Sequence, residues 1–276
     1  MAIRLVITDL DGTLLKNDHL TVSPRTAAAL AAIKARGVRL CACTGRPLSL
    51  MVDVVRPLGF DYAITCNGAA CDDLHTGQRL FAAYLSAEKA AFAWDQMAHV
   101  DSMVEWFVHG EILMDEHNFS QWEQRVRAVW HRDYLRAGRA TIVRDIRDFF
   151  AQGAPELEKL NVLNFPEGSM TAPIAAMRQS GAFEISTSLG YNYEIGDAQA
   201  NKGTGITRLC QQLGMSLEEV VAFGDGNNDE EMLQTAGIGV AMGNARERVK
   251  RFANEVTLSN EEDGIAAWLE QPGLAL

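Results

Sequence analysis

The chain has 276 residues, of which 47% are hydrophobic and 22% charged, enough to bury a sizeable core in one large domain or two smaller ones. A net charge of −11 repels a phosphate backbone over long range, which argues against nucleic acid as a partner and requires any site for an anionic small molecule to supply its own positive charge. No apolar run approaches the ~18 residues of a membrane span, and Asp9 and Asp11 interrupt the opening residues too early for a signal-peptide core.

Ile3 to Thr8 is short, apolar and rich in β-branched residues, which predicts a buried strand. Ser23-Pro24 supplies an N-cap and a proline at the first helical position. Ala28, Leu30, Ala31 and Ile33 then recur at helical spacing as far as Gly37. Val38 to Cys43 reads as a second buried strand, and Pro47 as the start of a helix through Leu50, Val54 and Val55. Strand–helix alternation with buried strands predicts a parallel sheet covered by helices.

The middle, roughly Leu85 to Ser188, has a different grammar. It holds Trp94, Trp106, Trp122 and Trp130, a strand at Met103–Val108, a His109-Gly110 turn and a partner strand at Ile112–Met114. Helices are predicted at Ser86–Ala98, Ser120–His131 and Met170–Ser180, and strands at Ala140–Val143, Leu160–Phe165 and Phe183–Thr187. The mixture points to an inserted α+β domain. The alternating pattern then returns, with helices at Lys202–Leu213, Asp229–Thr235, Ala245–Ala253 and Glu262–Leu269 and strands at Val220–Phe223, Ile238–Ala241 and Val256–Leu258. Cys41, Cys43, Cys66, Cys71 and Cys210 are odd in number and contain no C-x-x-C pair, so neither a disulfide framework nor a zinc site is expected. A cytoplasmic setting is the expectation.

Four segments carry chemistry. Asp9-Leu10-Asp11-Gly12-Thr13 leaves the first strand, and two carboxylates so close repel unless a cation or proton separates them. A hard divalent ion suits oxygen ligands there, and the calcium-loop pattern fails because Leu14 and Leu20 stand where Gly and Glu belong. Gly224-Asp225-Gly226-Asn227-Asn228-Asp229 forms a second acidic cluster, again at the end of a strand. A helix cap accounts for one of its acids but not for Asp225, Asn228 and Asp229 together. Thr44-Gly45-Arg46 offers a hydroxyl and an amide N–H to a phosphate, and Lys202 places a cation at a helix start, an unfavourable position unless an anion lies nearby. The parts match phosphoryl transfer: a nucleophile, a metal, and donors for phosphoryl oxygens.

Taken in order, these motifs resemble those of the haloacid dehalogenase-like hydrolase superfamily, and most closely its Cof-type phosphatases. Asn67-Gly68-Ala69, the tail Val240-Ala241-Met242-Gly243-Asn244-Ala245 and Glu262-Asp263-Gly264 extend the resemblance over nearly the whole chain. One departure is the absence of a proline just before Lys202. The resemblance implies an α/β fold with a Rossmann-like parallel-sheet core and an inserted α+β cap. Its expected domains are residues 1–84 and 189–276 for the core and 85–188 for a cap that selects substrate.

The resemblance also implies roles. Asp9 would be the nucleophile that forms an aspartyl-phosphate, and Asp11 the acid, then base. Mg2+ would be held by Asp9, the backbone carbonyl of Asp11 and Asp225, with Asp229 supporting the metal and its waters, directly or from behind. Thr44, Gly45, Lys202 and Asn228 would bind the phosphate. The implied activity is hydrolysis of a small phosphorylated metabolite, such as a sugar phosphate, without a nucleic-acid or membrane partner. A phosphomutase with the same chemistry is an alternative, decided by water access to the intermediate. A non-catalytic binding protein on this fold is a remote one, because Asp9, Asp11 and Asp225 are all present.

Overall fold

Leu5–Thr8 (β1) is buried at every position, as a β-branched apolar run requires in the middle of a covered sheet. The computed structural model describes residues 2–127, 129–151, 156–188 and 191–274. The chain divides into two units: Met1–Arg46, Met51–Ala82 and Asn201–Leu276 form the first, Pro47–Leu50 and Ala83–Ala200 the second.

In chain order the first unit continues with Arg39–Cys43 (β2), Tyr62–Thr65 (β3), Ala70–Asp73 (β4) and Arg79–Ala82 (β5). The second unit contributes Met103–Val108 (β6), Glu111–Asp115 (β7), Thr141–Val143 (β8), Leu157–Leu163 (β9), Phe183–Ser186 (β10) and Asn192–Asp197 (β11). Val220–Gly224 (β12), Ile238–Ala241 (β13) and Glu255–Val256 (β14) complete the first.

The first sheet runs β14-β13-β12-β1-β2-β3-β4-β5. It is parallel from β14 to β3, and β4 and β5 are added antiparallel. The parallel core is the expected one. Neither β3 nor the antiparallel extension β4–β5 is predicted, because runs as short as Tyr62–Thr65 cannot be told from a buried helical turn by pattern alone. β1 lies between β2 and β12, so the strand order reverses there, and open α/β sheets bind their ligands beyond the carboxyl ends of strands at such a point. The helix Pro24–Ala35 begins where its sequence says: the Ser23 side chain accepts the Thr26 N–H at 3.0 Å, and Leu30 and Ile33 are buried. The helix Lys202–Leu213 buries Ile206, Leu209 and Cys210 in one cluster with Ile7, Ile64 and Cys71. All five cysteines are free and buried.

The second sheet runs β10-β11-β9-β6-β7-β8. The helices Ala87–Met97 and Thr171–Ser180 bring Ala93, Met97, Ile174 and Met177 into a cluster with Val104, Trp106, Leu160, Val162 and Ile195 of the sheet. Trp106 packs against Trp94 and Phe150, with ring centroids 5.6 and 4.7 Å away, so it is a core residue. The predicted hairpin is present: Val108 pairs with Glu111, and His109 and Gly110 both have positive φ, at 53° and 76°, as a two-residue turn demands.

Two expectations change in this unit. The sequence places residues 189–200 in the core, but β11 pairs antiparallel with β9 and β10 and belongs to the second sheet. The unit boundary therefore falls at Ala200/Asn201. The single helix expected over Ser120–His131 is instead divided into Glu116–Ser120, Trp122–Arg125 and Val129–Arg136, with Ala128 outside the described residues. Val126 leaves the helical basin (φ −79°, ψ 122°) and is buried, so its packing overrides the helical spacing. Among the described residues, no helix is long and apolar enough to cross a membrane.

Candidate active site

The register of the first sheet brings the acidic motifs together. Thr8 stands opposite Phe223, and the Asp9 N–H bonds the Phe223 carbonyl at 3.0 Å, so Asp9 and Asp225 emerge from neighbouring strands at the same rim. After Asp9 the chain makes one wide turn, closed by Leu15 N–H to Leu10 O at 2.8 Å. Gly12 turns it with φ +80°, and a Cβ there would sit 2.4 Å from Asp225 Oδ2. The glycine of this motif is therefore required twice, for its dihedral and for the approach to Asp225. Thr13 Oγ1 then donates to Asp225 Oδ1 at 2.7 Å, and Asn244 Nδ2 bonds both Gly12 O (2.8 Å) and Asp225 Oδ2 (3.3 Å).

Lys202 is fully buried, and its Nζ donates to Asp9 Oδ1 at 2.6 Å and Asp229 Oδ1 at 2.5 Å. The position at a helix start, unfavourable by itself, is offset by these two carboxylates. Asn201 caps the same helix, accepting the Thr204 N–H at 2.8 Å. Asp229 is held in turn, because its Oδ2 accepts the N–H groups of Asp225 (2.9 Å) and Gly226 (2.8 Å).

Charge in this cluster is unbalanced. Burial drives the Asp9 carboxyl well above the usual range; Lys202 opposes the rise, and the Asp229, Asp225 and Asp11 carboxylates add to it. Burial, with Asp229, also pushes Asp225 up to about 7. Burial opposes the charge on Lys202, but Asp229 and Asp9 outweigh it and raise that group. Asp9, Asp225 and Asp229 each offer an oxygen within 4.8 Å of the others, with one ammonium among them. An all-oxygen donor set with excess negative charge fits a hard divalent cation such as Mg2+.

Asp11 faces other partners. Arg46 grips it with two hydrogen bonds, Nε to Oδ2 at 2.8 Å and Nη2 to Oδ1 at 2.5 Å, and His19 Nδ1 lies 2.8 Å from Oδ1. Burial alone would raise this carboxyl, but the Arg46 guanidinium and the His19 contact outweigh it and hold it at about 2. Asp11 is thus an anion with three N–H donors.

Thr44, at the end of β2, is buried, and its Oγ1 accepts the Arg46 N–H at 3.1 Å; Gly45 joins the two. Asn228 Nδ2 donates to Asn67 Oδ1 at 3.0 Å, and Cys66, Asn67 and Gly68 all have positive φ (52°, 57° and 95°). Motif reading assigns no role to Thr13, His19, Arg46 or Asn67 and uses Asn244 only as a likeness. The available signals are the hydroxyl inside D-x-D-G-T and the Asn-Gly pair of a strained turn.

In the second unit, His131 is buried with Nε2 2.6 Å from Glu105 Oε1, and His109 is exposed with Nδ1 2.9 Å from Glu156 Oε2. Trp122 is buried, Glu111 is exposed, and Arg125 pairs with Asp101.

A haloacid dehalogenase-like hydrolase family model matches residues 6–269. The chain is 31% identical to a Bacillus subtilis protein named phosphatase YwpJ, over 95% of this chain and 97% of that one. It is 30% identical to the Escherichia coli pyridoxal phosphate phosphatase YbhA, over 98% of each. Among solved structures, a haloacid dehalogenase-like hydrolase from B. subtilis matches with a TM-score of 0.82 at 26% identity, covering 98% of this chain and 100% of that one. A HAD subclass IIB sugar phosphatase matches with a TM-score of 0.79 at 27% identity, covering 98% and 99%.

Proposed function

The chain belongs to the haloacid dehalogenase-like hydrolase family, and from that premise we propose that it is a magnesium-dependent phosphatase acting on a small phosphorylated metabolite through an aspartyl-phosphate on Asp9. The observation that carries this reading is the Asp9 carboxylate at the rim of β1, bonded to a buried Lys202 and grouped with Asp225 and Asp229. The names of the relatives, which include a pyridoxal phosphate phosphatase and a sugar phosphatase, support a phosphomonoester substrate.

Asp9 Oδ attacks phosphorus, and the ester oxygen departs with a proton that Asp11, an anion in the free enzyme, must first take up from solvent with the substrate. Water then attacks the phosphorus of the aspartyl-phosphate, gives a proton to Asp11 and releases Asp9 as a carboxylate with inorganic phosphate. Thr44, Gly45, Lys202 and Asn228 bind the phosphoryl oxygens, and Lys202 offsets the repulsion between an anionic nucleophile and an anionic substrate. Asp9, Asp225 and the Asp11 carbonyl would hold the Mg2+. Asp229, whose oxygens already serve three donors, supports it from behind. Bound there, the ion neutralises phosphoryl charge. We assign substrate selection to the second unit, Ala83–Ala200.

The test is phosphate release from a panel of a hexose phosphate, glycerol phosphate, pyridoxal phosphate and nitrophenyl phosphate, with the wild type and Asp9→Asn side by side. No Asp9-dependent release from any of them would count against the reading. Chelation with EDTA is expected to stop turnover and added Mg2+ to restore it; full activity in metal-free buffer would remove the ion from the mechanism. Asp11→Asn is expected to slow turnover about a hundredfold. With nitrophenyl phosphate, whose leaving group needs no proton, phosphoenzyme should accumulate because the amide cannot take a proton from water, as intact-protein mass spectrometry after a rapid quench would register.

A further inference from the structure

The connection between the Asp9–Thr13 turn and the helix Pro24–Ala35 is held more firmly than a surface loop needs. Lys16 Nζ donates to Asn260 O (3.0 Å), Glu261 O (2.8 Å) and Asp263 Oδ1 (2.8 Å). The Asp18 carboxylate accepts the N–H groups of Leu20 and Thr21, each at 2.9 Å, and the Thr21 hydroxyl at 2.8 Å. Lys16 N–H bonds Thr21 O and His19 N–H bonds Lys16 O, both at 2.9 Å.

These contacts fix His19 at φ +60°, in the left-handed region that residues with a Cβ seldom occupy. Strain of this kind persists only where the surroundings over-determine it, and it clusters at functional sites. Here both ends of the residue are used. The ring places Nδ1 2.8 Å from Asp11 Oδ1, and the backbone carbonyl accepts Arg46 Nη2 at 3.0 Å. Because the same Nη2 donates to Asp11 Oδ1, the three residues close a ring of hydrogen bonds around one carboxylate. A carboxylate only accepts, so Nδ1 carries the proton in this contact.

We propose that His19 is a positioning residue for Asp11, fixing, together with Arg46, the carboxylate that moves protons in both half-reactions. This rests on the phosphatase reading above. His19 touches neither phosphorus nor the leaving group; it acts on the direction of the Asp11 oxygens as the ester oxygen takes a proton and, later, as water gives one up. Because kcat/KM reports the first half-reaction, the effect on it is selective. It is large where the leaving oxygen needs a proton to depart and small where it does not.

The test uses the alkyl phosphate hydrolysed fastest in the panel and nitrophenyl phosphate, whose leaving group departs without a proton. Three variants separate ring from backbone. His19→Gly keeps the left-handed conformation and loses the ring. His19→Gln retains an amide but places it too far from the backbone. His19→Asn tolerates positive φ and sets an N–H close to the position of Nδ1. For Gly and Gln, kcat/KM on the alkyl phosphate is expected to fall about tenfold or more, with less than about a threefold fall on nitrophenyl phosphate. Asn should recover most of the loss.

Equal losses on the two substrates, a Gly variant as fast as wild type, or an Asn variant no better than Gly would each overturn the proposal. A wild type with no Asp9-dependent turnover would overturn the phosphatase reading itself, and this proposal with it. That result comes from the wild type and Asp9→Asn alone, before any His19 variant is measured.

Discussion

Asp9→Asn is expected to reduce phosphate release by about four orders of magnitude or more. The amide has no anionic oxygen to bond to phosphorus, and no other described carboxylate shares its place. Asp225 is tied to Thr13 and Asn244, and Asp229 to Lys202 and two backbone amides. The fold should survive. The amide oxygen can still accept from Lys202 Nζ, now 2.6 Å from Asp9 Oδ1, and the change removes one negative charge from a group of three acids. Loss of charge assistance in one hydrogen bond and relief of repulsion oppose each other, so the stability change is expected to stay within about 1.5 kcal/mol. Phosphate release and thermal unfolding on the same preparation check both halves. Retained turnover in a well-folded variant would take Asp9 out of its role. So would a beryllium fluoride adduct found on a different side chain.

Lys202→Met carries the largest expected effect on stability. The methionine fills most of the space of the lysine stem but leaves Asp9 and Asp229, both buried, without the ammonium that contacts them at 2.6 and 2.5 Å. Removing one partner of a buried ionic group leaves uncompensated charge, at a cost of about 3–5 kcal/mol. Activity should fall at least about a hundredfold, because an electrostatic donor to the phosphoryl oxygens is gone as well. Mg2+ distinguishes this account from simple loss of packing. A divalent cation held by the same carboxylates supplies part of the missing positive charge, so the variant should gain more stability from added Mg2+ than the wild type does. Denaturant unfolding with and without Mg2+ measures this. Equal stabilisation of both proteins would mean that the defect is one of packing.

Much of the site is legible in the sequence because each motif sits where a secondary-structure element ends. Asp9 closes an apolar β-branched run, Asp225 closes another, Thr44 closes a third, and Lys202 opens an amphipathic helix; parallel strands then carry the first three to a common rim. Local grammar also sets the helix Pro24–Ala35, whose cap and proline are adjacent residues, and the hairpin at His109-Gly110.

What escapes the sequence is pairing through space. Thr13 and Asp225 are 212 positions apart, Asn67 and Asn228 161, Arg46 and Asp11 35, and no periodicity links them. The strand Asn192–Asp197 shows the same limit. Its pattern can say that it is extended, but not which sheet accepts its hydrogen bonds, and the domain boundary moves with that choice. The sequence alone therefore pointed to the kind of chemistry and to the candidate residues for it, since residue types and the ends of elements are local properties. Only the tertiary structure decided which charges neutralise one another: Lys202 against Asp9 and Asp229, and Arg46 with His19 against Asp11. The reason is physical. A charge interacts with whatever lies within a few ångströms, and distance along the chain does not enter.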